Sequence, residues 1–206
     1  MMENIKLDLS PKVAYIIGVV LGDGTVSNKD NRIRLGVTDR VFAISFYNTL
    51  KEMGLNPTIW KDKKQKVNWS DVWRVSVYNK SLNGFLRCLT IEKIKEIIDK
   101  QENAIWFLKG FYESEGVLSK RFCIQIVNTD AELIRLVWSV LKSLNLRAKL
   151  YGPYGPYLTV TKQQKRSFYR ISLNYKKDVE RFLDLINPCI KGRGVLQIST
   201  SSNPSN

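Results

Sequence analysis

Histidine is absent from all 206 residues, and that one gap removes more chemistry than any other feature of the chain. Ser-His-Asp and Cys-His catalysis, two-Cys two-His zinc fingers and the histidine-based nucleases of the HNH and His-Cys box kinds are all excluded. Cysteine is scarce and odd in number: Cys88, Cys123 and Cys189 stand apart among apolar neighbours. That leaves no spacing for a thiolate zinc cage and reads as core thiols in a reducing compartment. No apolar run approaches the roughly 18 residues of a membrane span; the best, Val13 to Leu21, is bracketed by Lys12 and Asp23. The opening Met1-Met2-Glu3-Asn4 lacks the basic-then-apolar order of a secretory signal, so none is expected. Acidic residues are few, 19 against 33 Lys plus Arg, which gives a net charge of +14 and a pI near 9.7. With no basic amphipathic anchor or lipidation motif in view, such an excess points to a polyanion, nucleic acid ahead of membrane. Any hydrolysis by this chain must rest on carboxylates, lysines and hard metal ions.

What is present is a repeat. Ile16-Ile17-Gly18-Val19-Val20-Leu21-Gly22-Asp23-Gly24 and Leu108-Lys109-Gly110-Phe111-Tyr112-Glu113-Ser114-Glu115-Gly116 each run apolar residues past a glycine. Each repeats a small residue four positions later and ends in an acid followed by Gly. Four residues are about one helical turn, so Gly18 stacks over Gly22, and Gly110 over Ser114, on one helix face. Two such faces can pack backbone to backbone, with Asp23 and Glu115 brought together where the helices end. Gly24 and Gly116 are expected to take the left-handed conformation that stops each helix.

The hydrophobic content of 44% supports a real core, and the order of elements repeats as well. Ser10-Pro11 opens a helix to about residue 23 as a capping Ser with Pro at the first helical position. Residues 25–38 form a hairpin whose second strand alternates Arg32, Ile33, Arg34, Leu35, Gly36, Val37. Thr38-Asp39 starts a helix that Gly54 ends. Residues 57–63 and 72–78 make a second hairpin around the basic loop Lys61 to Lys66, residues 81–89 a short helix, and 91–102 a linker with isoleucines at helical intervals. The second half retraces this: a motif helix from Asn103, an alternating strand from Arg121 to Asn128, and a helix capped by Thr129-Asp130. Strands then lie near 147–151, 157–161 and 168–173, and a last helix spans 179–186. Thr38-Asp39 and Thr129-Asp130 stand 91 residues apart, and Arg74-Val75-Ser76-Val77 finds its counterpart in Arg170-Ile171-Ser172-Leu173. Residues 1–90 and 103–193 are thus two copies of an α-β-β-α-β-β-α unit related by a pseudo-twofold axis, and 194–206 is a disordered tail.

Strands with one apolar face turn the other outward. That face is expected to carry Arg32, Arg34, Arg74, Ser76 and Tyr78 in the first half, and Arg121, Gln125, Lys149, Tyr151, Thr159, Thr161, Arg170 and Ser172 in the second. Arg bonds two acceptors on guanine, Gln can do so on adenine, and Lys meets phosphate as a compact charge. A β-ribbon fits the major groove, while Lys61, Lys63, Lys64 and Arg40 add charge at its margins. Trp60, Trp69 and Trp73 are read as core.

In the two nine-residue segments the chain resembles the LAGLIDADG homing endonucleases, in the single-chain form with two motifs and most like the archaeal intron-encoded members. The resemblance implies an α+β fold of two duplicated halves whose antiparallel sheets form a DNA-binding saddle. It implies cleavage of both strands of a long, nearly palindromic duplex by Mg²⁺-dependent phosphodiester hydrolysis, with Mn²⁺ as a substitute and Ca²⁺ as a non-catalytic one. Asp23 and Glu115 would be the catalytic acids and metal ligands, joined by the carbonyls of Gly22 and Ser114. Lys120 would assist, with Lys191 and Lys93 as other candidates. The polar residue that relatives place after the first long strand is Asp39 here, followed by Arg40, and the second half offers Asn128 and Thr129. Relatives also include maturases that bind intron RNA and aid splicing without cutting DNA, which is the alternative reading. In either case the protein would act as a monomer inside the cell, in the cytoplasm, with access to DNA.

Overall fold

The computed structural model describes residues 9–62, 70–158 and 164–190. Lys63, Lys64, Trp69, Thr159, Thr161, Lys191 and the expected tail at 194–206 lie outside the described residues. The chain divides into two compact units, Met1–Ser114 and Glu115–Asn206.

The first unit runs α1 (Pro11–Gly22), β1 (Gly24–Val26), β2 (Arg32–Val37), α2 (Arg40–Glu52), β3 (Thr58–Asp62), β4 (Val72–Tyr78), α3 (Lys80–Arg87), α4 (Ile91–Ile97) and α5 (Gln101–Glu115), whose last residue opens the second unit. The second continues with β5 (Gly116–Leu118), β6 (Ile124–Asn128), α6 (Ala131–Ser143), β7 (Lys149–Tyr154), β8 (Tyr157–Leu158), β9 (Gln164–Lys165), β10 (Phe168–Leu173) and α7 (Lys176–Ile186). Each unit holds a four-stranded antiparallel sheet, in the orders β1-β2-β4-β3 and β5-β6-β10-β7, so the two copies share one topology. The fold is α+β. Residues 91–102, read as a linker, carry the short helix α4, and the buried amide of Asn103 ties its end to the chain by donating to the carbonyls of Ile97 (2.7 Å) and Leu9 (3.0 Å).

Alternation places the core. Ile33 and Leu35 of β2 and Val75 and Val77 of β4 are buried under α2, which supplies Phe42, Phe46 and Leu50. In the second unit Ile124, Ile126, Ile171 and Leu173 play the same part beneath Leu133, Ile134, Val137 and Leu141 of α6. Two corresponding caps start those helices. Asp39 accepts from the N–H groups of Val41 and Phe42, and Asp130 from those of Glu132 and Leu133. Ser10 sits at the N-cap of α1 with Pro11 at the first helical position, yet its side chain makes no capping bond.

The first unit is held around the crossing of α1 and α5. A Cβ built on Gly18 would stand 2.3 Å from the carbonyl oxygen of Phe107, and one on Gly110 would stand 2.3 Å from that of Tyr15. The two glycines admit each other's backbone, and Ser114 completes the seam by donating its hydroxyl toward the carbonyls of Gly110 (3.2 Å) and Val19 (3.4 Å). Burial at the same crossing pushes the phenol of Tyr112 above its usual range.

Several expectations need correction. Gly24 and Gly116 are not left-handed; they begin strands β1 and β5, and among the described residues the positive-φ glycines are Gly54, Gly152 and Gly155. Gly24 answers a close approach instead, since a Cβ there would lie 2.6 Å from the Cα of Val20. The strand expected from Arg121 starts at Ile124, because residues 119–123 form the hairpin turn, with Phe122 left-handed at φ 56° and its N–H bonded to Ser119 O. Of the three cysteines only Cys189 is buried; Cys88 is exposed at the C-cap of α3.

The crossing makes a prediction with opposite signs at two helical glycines. Gly110→Ala gains up to about 1 kcal/mol of helix propensity, but its methyl meets backbone that no rotamer change can move aside, and overpacking of that kind costs about 1–3 kcal/mol or more. Urea denaturation of Gly110→Ala is expected to show a net loss of about 2 kcal/mol. Gly84→Ala in α3, where nothing lies within 4 Å of the new methyl, is expected to raise stability.

Candidate metal and nucleic-acid sites

Each motif helix ends in its acid. Asp23 is the C-cap of α1, its own N–H bonded to the carbonyl of Val19 at 3.0 Å, and its side chain is exposed. Glu115 is the last residue of α5 and is half-buried. The side-chain amide of Asn128, at the end of β6, donates to Glu115 Oε1 at 3.1 Å, while Asn128 Oδ1 accepts from the N–H of Asp130 at 2.8 Å. The cap of α6 therefore orients the amide that orients Glu115. The residue 91 positions earlier is Val37, whose side chain has no amide.

The acids and the carbonyls that end the helices offer oxygen alone, the donor type hard divalent cations take. A carboxylate at a helix C-terminus also meets the negative end of the helix dipole, an arrangement that costs roughly 0.3–1 kcal/mol until a cation answers it. Among the described residues no cluster of three or more His, Cys, Asp or Glu could hold a metal.

Glu113, the other acid of the second motif, is 1% exposed and belongs to the core. Tyr15 donates to its Oε2 at 2.8 Å, which ties α5 to α1, and the same hydroxyl stands 3.1 Å from Ser45 Oγ of α2. Lys120 lies in the turn of the β5–β6 hairpin, the end opposite Glu115 and Asn128. At about 3.3 Å per residue, strand β5 carries it on the order of 13 Å away. Arg121 shares that turn and is exposed.

Register fixes what the outward sheet faces carry. In the first sheet Arg32 lies opposite Tyr78, Arg34 opposite Ser76 and Gly36 opposite Arg74, with Thr58 and Trp60 continuing the rows on β3. Ser76 is nearly covered by its neighbours, while Tyr78 is 62% exposed. Trp60, read as core from the sequence, is 41% exposed. It projects with these residues because its register partner is Arg74. Sequence reasoning missed the acids among the arginines. Arg34 bonds Asp30 through Nη2, and Arg32 Nε lies 3.6 Å from the same carboxylate. A hydrogen bond with Ser27, then the charge of Arg34, holds Asp30 below its ordinary pKa. Arg74 bonds Asp62, and Lys61 pairs with Asp71 at 2.7 Å. Arg40 and Lys61 lie over the ring of half-buried Trp73, at 5.2 and 5.9 Å from its centroid.

The second sheet turns Gln125, Ser172 and Lys149 outward in one row, and Val127, Arg170 and Tyr151 in the next. Ser172 is buried, and Lys149 exposed. Arg170 packs against the rings of Tyr151 (5.5 Å) and Tyr154 (5.4 Å), and among the described residues its Nε is buried without a hydrogen-bond partner. No described helix is long and apolar enough to cross a membrane.

Comparison with known proteins agrees with the repeat. A family model described as "LAGLIDADG-like domain" matches residues 10–87 and again 102–187. Uncharacterized protein MJ0398 of Methanocaldococcus jannaschii is 32% identical over 197 residues, covering 91% of this chain and 70% of that protein. Uncharacterized protein MJ0314 of the same organism is 32% identical over 162 residues, covering 72% of this chain and 60% of that protein. Among solved structures, full-length DUF199/WhiA from Thermatoga maritima is similar with a TM-score of 0.64 and 16% identity, over 97% of this chain and 63% of that one. I-DmoI in complex with DNA and Ca gives a TM-score of 0.64 at 18% identity, over 92% of this chain and 98% of that one. At these identities the likeness is one of fold. The chain spans less than two thirds of MJ0314 and of the WhiA structure.

The two hydrogen bonds at Asp39 assign that side chain to the start of α2. Asp39→Ala is expected to lower stability by about 1 kcal/mol, within the usual 0.5–2 for lost caps, and Asp39→Asn to restore most of it. Thermal unfolding of the three proteins side by side checks this.

Proposed function

Because this chain belongs to the LAGLIDADG-like domain family, with both copies in one polypeptide, we propose that it is a site-specific DNA endonuclease that cuts both strands of a long, nearly palindromic duplex. The observation that carries the reading is the retention of a carboxylate at the end of each motif helix, Asp23 after α1 and Glu115 at the end of α5. Binding alone gives no reason to set two acids against the negative ends of the helix dipoles.

In this reading Asp23 and Glu115 hold divalent ions, Mg²⁺ in function with Mn²⁺ able to replace it, and the carbonyls of Gly22 and Ser114 complete the protein's share of ligands. When bound, such an ion polarises the scissile phosphate and lowers the pKa of a water molecule. Asn128 keeps Glu115 pointed for that task. Arg32, Arg34, Arg74, Gln125 and Arg170 meet base edges, and Lys149 and the lysines from Lys61 to Lys64 meet phosphates. Arg40 and Tyr151 act through the aromatic contacts they already make, and Thr159 and Thr161 contribute hydroxyl groups to binding. Lys120 is the proposed auxiliary lysine only if the DNA brings a phosphate to the β5–β6 turn. The monomer is the acting unit, and its substrate places it inside the cell.

Incubation with a library of duplexes and Mg²⁺, with the cut ends sequenced, tests the reading. Wild-type protein is expected to cut one family of sequences on both strands. Asp23→Asn and Glu115→Gln should each lower double-strand cleavage at least 100-fold and leave a larger share of nicked product than wild type. Tight binding to a folded RNA with no DNA cut under any divalent ion would replace the nuclease by the maturase reading.

A further inference from the structure

On the outward face of the first sheet, three side chains lock one another. Asp62 ends β3 and accepts from two donors: Trp60 Nε1 to its Oδ1 at 2.8 Å, and Arg74 Nε to its Oδ2. Trp60 faces Arg74 across the β3–β4 ladder. On the other flank Arg74 faces Gly36 of β2, where an added Cβ would stand 3.3 Å from Arg74 Nη1. Glycine at that point leaves a seat for the guanidinium. Both hydrogen bonds hold the carboxyl of Asp62 charged, Arg74 contributing most and Trp60 next.

The arrangement has no evident use for the core. Trp60 and Arg74 are exposed, and an exposed ion pair contributes little to stability. It also opposes the general charge of the face, because a carboxylate repels DNA phosphates. What it does accomplish is geometric. An arginine gripped at Nε loses its rotamer freedom while the Nη1–Nη2 edge, with its two parallel N–H donors, stays available. That edge matches O6 and N7 of guanine in the major groove.

We infer that Arg74 is a guanine reader and that Asp62, supported by Trp60 and Gly36, is its positioning residue, so that the target carries a G·C pair opposite the middle of the first sheet. This rests on the reading that the outward face lies on duplex DNA, though not on cleavage. The second unit supplies the internal contrast. Arg170 occupies the matching register position, yet it packs against two tyrosine rings, and among the described residues no carboxylate is one of its hydrogen-bond partners.

The test is selection of bound duplexes from a randomised library by the full chain, in Ca²⁺ without Mg²⁺, followed by sequencing. Wild type is expected to favour G·C at one position by about 10- to 100-fold, the discrimination usual for a bidentate contact. Arg74→Ala should abolish that preference. Asp62→Ala should lower it at least 10-fold at the same position and nowhere else, while affinity for unselected DNA stays level or rises because a negative charge has gone. Gly36→Val, which changes no charge, should lower the same preference by filling the seat. Thermal unfolding of Asp62→Ala within a degree or two of wild type separates positioning from damage to the fold. Preferences unaltered in both Asp62→Ala and Gly36→Val, or altered at positions that Arg74→Ala leaves alone, would overturn the assignment. Wild-type protein that binds no duplex would overturn it together with the DNA reading, whereas selective binding without cleavage in Mg²⁺ would remove the nuclease and leave the guanine reader standing.

Discussion

Helices α1 and α5 approach so closely that each one's glycine lies against the other's carbonyl, and the first unit is arranged around that approach. Side chains normally keep helix axes 8–10 Å apart. Where both partners offer glycine, the backbones themselves become the contact surface, and every residue downstream on either helix inherits its position from it. The buried Tyr15–Glu113 bond then fixes the register. A carboxylate in a core is tolerable only where hydrogen bonds answer it, and a slipped register would break this one at a cost above that of losing one apolar contact. Apolar packing brings the helices together, and the polar pair links them across the crossing. The acid that ends each helix is therefore placed by rigid elements and not by a loop.

Beyond the crossing, the units share topology and differ in surface chemistry. The sheet orders correspond strand for strand, and so do the caps at Asp39 and Asp130. Those features are set by the core and by backbone hydrogen bonding, where a change is costly in either copy. The outward faces answer to no such constraint. In the first, arginines are held by aspartates; in the second, by tyrosine rings. Asn128 supports the acid of the second motif where the first unit has Val37.

The repeat, the caps at Asp39 and Asp130, the alternating strands and the glycine-mediated crossing were legible in the sequence, because each depends on spacing within one element. What was not legible depends on partners from other elements. Gly24 and Gly116 looked like helix stops, but the chain passes straight from helix to strand, and the reason for Gly24 is the nearness of Val20. Trp60 looked like core until register set it opposite Arg74. Asp30 and Asp62 carry no signal of their role in the sequence, since only strand pairing and turn geometry reveal which arginine each one holds. Arg121 was assigned to a strand that starts three residues later, after a turn in which Phe122 takes a left-handed conformation that its residue type does not announce.

The acids on the first face bear on the meaning of the net charge. A chain of +14 has ample attraction for a polyanion over the Debye length, about 8–10 Å at ordinary ionic strength, and attraction of that kind does not distinguish one sequence from another. Three aspartates set among the basic residues of one unit weaken it locally. They also take from the neighbouring cations the freedom to settle on whichever phosphate is nearest. Residues that search and residues that discriminate have opposite needs, mobility in one case and fixed direction in the other. Free lysines serve the first, and guanidinium groups anchored by carboxylates serve the second. Under the proposal that both outward faces lie on duplex DNA, an arginine held by aromatic stacking in the second face and by a carboxylate in the first would read the two halves of the target by different chemistry, and the target would depart from a perfect palindrome even though the scaffold beneath it is duplicated.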